Sequence, residues 1–156
     1  YFALKNNSKL FMTTLIFNFC NILILLARGT IIVLPKQKLS KVLISFPWIP
    51  LGLSFFYVYF IFISGGIMEA DFSSLEGIVS LFKKATPESA AAGWLHYLAF
   101  DFWVGTWIIK HSRKRKISHK IILLPLLFTF MLGPVGILIY SLFLLAYKPF
   151  NLASEK

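Results

Sequence analysis

Acidic residues are scarce in this chain: six Asp and Glu stand against sixteen Lys and Arg in 156 residues, a formal net charge of +10. Charges of both signs together make up only 14%, about half the share usual in a soluble domain, whereas hydrophobic residues reach 58%. That balance argues against a soluble globular domain and excludes a disordered tail, a coiled coil or a collagen-like rod. Cysteine occurs once, as Cys20 inside an apolar run. No intrachain disulfide, Cys-based metal site or redox pair can form, and Cys20 reads as a small buried hydrophobe. HExxH, GxSxG and P-loop patterns are missing. His96, His111 and His119 form no recognisable metal cluster with neighbouring carboxylates, so neither a metal nor a cofactor is expected. The positive charge does not point to nucleic acid. Lys and Arg sit between apolar runs, where membrane topology and anionic lipid headgroups account for them.

What the chain has is apolar length. Four runs, about 10–34, 42–64, 90–109 and 121–147, are each long enough to cross a bilayer. The expected fold is an all-α membrane protein with four transmembrane helices in one membrane domain covering residues 1–156. Pro35 and Lys36 end the first run, and Pro47 and Pro50 lie in the opening turns of the second. Between spans two and three, Phe72, Leu75, Ile78, Val79 and Phe82 recur at three- and four-residue spacing. This predicts a short amphipathic helix over about 72–84, lying on the membrane surface, with Asp71 or Ser73 as its N-cap. Thr86-Pro87-Glu88 reads as the cap and first turn of the third span. In the fourth run Pro134 cannot donate to the carbonyl of Phe130, so a kink is expected there.

Lys36, Lys38, Lys41 and the 110–120 loop KHSRKRKISHK outnumber the basic residues on the other side, Lys5, Lys9, Lys83, Lys84, Lys148 and Lys156. The positive-inside rule therefore puts the two basic loops in the cytoplasm or its organellar equivalent, with the termini opposite. Anionic headgroups are the expected partners of the 110–120 loop, with His111 and His119 solvated or bound to headgroups there.

Ionisable groups inside a span are functional candidates by default. Arg28, His96 and Asp101 qualify. At about 1.5 Å per residue, Asp101 lies near the middle of span three and His96 nearer its N-terminal end. Asn21 and Asn18 on span one fall at matching depths. Tyr97, Asp101 and Gly105 share one helix face; His96, Phe100, Trp103 and Trp107 share a neighbouring one. One reading is a ligand site between helices, with a polar anchor and an aromatic wall. The other is that Asp101 pairs with Arg28, or accepts hydrogen bonds from Asn21 and Tyr97, to hold the bundle together.

The stretch WLHYLAFDFWVGTWI, residues 94–108, resembles the neoxanthin synthase family, small four-span proteins of plastids with bacterial relatives. The likeness continues through Ile117, His119, Pro125 and FMLGPVGILIY at 130–140. Thr106 stands where bacterial relatives commonly carry Arg, His111 where they often have an acid, and Lys116 and Ser118 where they have Gly and Pro. The resemblance implies a plastid or bacterial inner membrane and a carotenoid partner. It also implies isomerisation of an epoxycarotenoid, in which a ring epoxide opens and an allene forms. That chemistry needs an acid at the epoxide oxygen and a base at a neighbouring carbon, and no redox cofactor. His96 and Asp101 are the implied catalytic pair. Asn18, Asn21, Arg28, Tyr97, Phe100, Trp103 and Trp107 are the candidate substrate-binding residues. A carotenoid is about as long as the hydrocarbon core is thick, so its rings lie near the interfaces. His96 is then better placed for chemistry than Asp101, which suits an anchor. The alternative is a non-catalytic pigment- or lipid-binding subunit of a larger membrane assembly, such as a photosynthetic complex.

Overall fold

The computed structural model describes residues 2–65 and 70–146, with side chains from residue 7 onward. Among these residues the fold is all-α, with seven helices: α1 (Phe2–Val33), α2 (Lys38–Ser45), α3 (Trp48–Ser64), α4 (Leu75–Lys83), α5 (Pro87–Lys114), α6 (His119–Leu132) and α7 (Pro134–Ala146). Two compact units divide the chain, residues 1–100 and 101–156, with the boundary inside α5. Tyr147, the end of the fourth predicted span, lies outside the described residues, as do Lys148 and Lys156.

The apolar run of α1, Asn7–Val33, is long and apolar enough to cross a membrane by itself. The second run is not one straight helix. It breaks at Phe46 and Pro47 into α2 and α3, which meet these criteria only as a pair bent by 55°. The fourth run breaks completely at Gly133 instead of merely kinking, giving α6 and α7, each apolar but shorter. Proline explains both breaks, because it disfavours helical backbone in the residue before it. Phe46 is extended at φ −133°, and Gly133 takes φ +20° ahead of Pro134. Each unit exposes large apolar side chains: Leu25 is 70% exposed, Phe55 72% and Phe62 80% in the first, and Leu145 81% in the second.

In the first unit, α1 packs on α2 and α3. The surface helix starts later than its spacing suggests. Ser74, not Asp71 or Ser73, is the N-cap of α4, accepting from the Gly77 N–H. Asp71 braces the turn before it, accepting from the Ser73 N–H at 2.8 Å and from the Ser73 and Ser74 hydroxyls. These bonds hold its carboxyl at about 2. Leu75, Val79 and Phe82 on α4 are exposed, and no residue of the helix is buried. At the start of α5, Thr86 and Ser89 form the reciprocal cap: the Thr86 N–H donates to Ser89 Oγ at 2.8 Å and the Ser89 N–H to Thr86 Oγ1 at 3.3 Å.

Among the buried positions of α5, Ala91, Leu95, Leu98, Phe102, Gly105, Ile109 and Ser112 recur at alternating steps of four and three. Its aromatic stripe, His96, Phe100, Trp103 and Trp107, faces outward. The helix ends on a motif in which the Ile117 N–H donates to the Ser112 carbonyl and the Lys116 N–H to that of Arg113. This closure needs a left-handed residue, and Lys116 supplies it at φ 57°. A side chain there costs about 1–2 kcal/mol relative to glycine. Lys116→Gly is therefore expected to raise the apparent Tm in detergent, whereas Lys116→Ala, which keeps the Cβ, does not; thermal unfolding of the three proteins side by side checks this.

Candidate functional site

Three features of the first unit converge on the N-terminal half of α5. The first is an aromatic set. The His96 ring lies 4.7 Å from Phe100 and 5.6 Å from Tyr57 of α3, centroid to centroid. His96 and Phe100 are exposed and Tyr57 is half-buried, so the imidazole sits in an aromatic notch open to the surroundings. The second is Trp94, whose indole N–H donates to Asn21 Oδ1 of α1 at 2.9 Å and whose ring lies 5.6 Å from Tyr97. Asn21 also donates to the Phe17 carbonyl at 2.8 Å, so its amide is fixed on both sides. The third is an open groove of about 520 Å³ between α1 and α5, walled by Leu10, Phe17, Ala90, Ala91 and Trp94, with Thr13, Thr14 and Asn18 along α1. Alanines on α5 leave the space that larger side chains would fill.

A charged network lies by the groove. Glu88, only 5% exposed, accepts from Thr13 Oγ1 at 3.3 Å and pairs with Lys9 Nζ at 3.6 Å. Lys9 also donates to the Ile63 carbonyl in the last turn of α3. One ammonium thus joins three helices. Burial pushes the Glu88 carboxyl up, but its own backbone N–H, Thr86, Lys9 and Thr13 outweigh burial and hold it below the usual carboxylate value. The Glu88 network and the Tyr57 contact escape the sequence reading, which takes Glu88 only as part of a helix start. The one available signal was the placement of Lys9 and Thr13 one turn apart on α1, ready to meet an acid.

Arg28 is half-buried on α1, two turns beyond Asn21, with its Nε and Nη2 atoms buried.

In the second unit Asp101 is 5% exposed. Its carboxylate lies over Gly133, where a Cβ would collide with Oδ1 and come within 3.3 Å of Cγ. Asp101 thus packs against the α6–α7 break. Trp103 and Trp107 remain 53% and 43% exposed. Thr106 is buried and its hydroxyl returns to the Trp103 carbonyl at 2.8 Å. The basic segment 110–120 is mostly helical: residues 110–114 extend α5 and 119–120 begin α6. His111 corrects the solvated-loop expectation. Its Nδ1 is 2.8 Å from the hydroxyl of fully buried Tyr140, and Trp107 stacks on its ring at 5.1 Å. Burial first, then Arg115 and Lys114, hold the His111 imidazole below its ordinary value. Among the described residues no group of three or more metal-ligating side chains occurs.

The fold and site define a class: an all-helical protein with a membrane-length N-terminal helix and an outward-facing aromatic stripe around one imidazole. The pattern of the ABA DEFICIENT 4-like family matches residues 15–140, and the chain belongs to that family. No curated protein and no solved structure matches it.

Proposed function

We propose that the chain binds a carotenoid within a membrane and isomerises an epoxycarotenoid at His96. In this reading α1, the bent pair α2–α3, α5 and the pair α6–α7 each cross the bilayer, in a plastid or bacterial inner membrane. The supporting observation is the notch: an imidazole exposed on the apolar outside of α5, held between Tyr57 and Phe100. A lipid-phase polyene can lie against Phe100, since aromatic faces pack well against a flat conjugated chain. The epoxide-bearing ring then reaches His96 near the end of the span. The imidazole takes the proton from the carbon next to the ring, the epoxide C–O bond breaks, and the oxygen is protonated in return. The product is an isomer carrying an allene and a hydroxyl, and His96 ends unchanged. Asp101, packed over Gly133, positions α5 and does not meet the substrate.

A second reading is favoured by Thr106. Where relatives commonly carry Arg, this chain has a buried hydroxyl bonded back to its own helix. A chain without that cation acts as a pigment- or lipid-holding subunit of a larger assembly. Incubating the gently purified protein with an epoxyxanthophyll and separating the pigments distinguishes the two. The enzyme reading expects an allenic product, lost by about 100-fold or more in His96→Ala, the scale of one acid–base group, with the Tm unchanged. Full conversion by His96→Ala overturns the role of His96. Pigment retained without conversion on a very large particle supports the subunit.

A further inference from the structure

The segment between α1 and α3 is a surface element in its own right. Ser40, fully buried, donates its hydroxyl to the carbonyls of Thr30 and Leu34. The same two carbonyls also accept the backbone N–H groups of Leu34 and Gln37, so the hydroxyl adds a second bond to each at the exit of α1. Thus α2 is fastened to the exit of α1 by its own side chain and then departs from the line of α3 by 55°. Ser40 and Ile44 take the inner face. The outer half is split in character. Leu39 is 58% and Val42 47% exposed, and beyond them Phe46 and Trp48 are 46% and 57% exposed with rings 4.6 Å apart. Lys38 and Lys41, with Lys36 just before, are exposed and make no ion pair among the described residues. No acid occurs anywhere from Tyr1 to Met68 to offset them.

We propose that α2 is an interfacial helix for an anionic bilayer surface. Its Leu39 and Val42 enter the acyl boundary beside Phe46 and Trp48, and Lys38 and Lys41 rest against lipid phosphates. Two observations select this occupant over a protein partner. The helix joins two apolar helices at their common end, and an aromatic pair at that depth prefers the headgroup boundary. The lysines carry uncompensated charge of the sign that anionic headgroups attract. The proposal requires α1 and α3 to lie in a bilayer and does not depend on pigment or catalysis.

The test uses the full chain with Cys20→Ala, one nitroxide label at a time at Leu39→Cys, Val42→Cys, Lys38→Cys or Lys41→Cys, in phosphatidylcholine bilayers with and without phosphatidylglycerol. Collision with oxygen, which concentrates in the acyl region, is compared with collision with a water-soluble nickel chelate. Labels at 39 and 42 are expected to favour oxygen, and those at 38 and 41 nickel. Phosphatidylglycerol is expected to slow the Val42 label in the parent chain but not in Lys38→Gln/Lys41→Gln. Nickel access at 39 and 42 equal to that at 38 and 41 overturns the proposal, as does shielding of all four from both reagents, the mark of a protein partner. A phosphatidylglycerol effect that survives the double Gln variant removes the lysines' role. A label at Phe62→Cys that favours nickel removes the bilayer itself, and the proposal with it.

Discussion

Gly136→Ala is expected to be among the most damaging single substitutions in the chain, although it adds only one methyl group. A Cβ at Gly136 of α7 would fall on the Oγ1, backbone N and Cα of Thr129 in α6. Two of those atoms are main chain and cannot rotate away. Thr129 itself is fully buried, its hydroxyl bonded to the Pro125 carbonyl at 2.8 Å. The helices must separate to admit the methyl. Overpacking of this kind costs about 1–3 kcal/mol, with the upper end expected where backbone is the obstacle. At about 2–4 °C per kcal/mol for a chain of this size, the apparent Tm in detergent falls by up to about 10 °C. Gly29→Ala is the internal control. Nothing lies within 4 Å of its Cβ position, so alanine there is neutral or gains up to about 1 kcal/mol of helix propensity. Equal losses at both sites would sink the argument.

Gly133→Ala is expected to cost as much, for two separable reasons. The φ of +20° lies where L side chains are strained, a penalty of about 1–3 kcal/mol. The added Cβ also meets the Asp101 carboxylate. A double-mutant cycle with Asp101→Ala separates the two contributions. Removing the carboxylate abolishes the collision but not the strain, so the double variant is expected to be more stable than the sum of the single losses by about 1 kcal/mol, within the range for groups in contact. Simple additivity would show that Asp101 does not press on the α6–α7 break. The same variants bear on function: in the proposed reading Asp101→Ala lowers stability while His96→Ala lowers conversion, and interchange of these outcomes would transfer the chemistry to Asp101.

The linear pattern of residues determined a good deal. Composition and run length specify an all-helical fold, because no other element satisfies its own backbone inside long apolar stretches. Proline positions marked where helices end, and four- and three-residue spacing placed His96, Phe100, Trp103 and Trp107 on one stripe of α5. The WLHYLAFDFWVGTWI stretch pointed to the family. Tertiary structure alone decided the rest. Spacing shows which residues share a face but not which way the face turns, and the packing of α5 through Ala91, Leu95, Leu98 and Phe102 is what sends the aromatic stripe outward. Proline announces a bend without its size; whether the chain kinks or breaks depended on Gly133 yielding and on Gly136 letting Thr129 approach. The Glu88 network, the Tyr57 contact with His96 and the His111–Tyr140 pair join residues 29 to 79 positions apart. No local pattern carries such pairings, because they are set by which helices pack together and at what height.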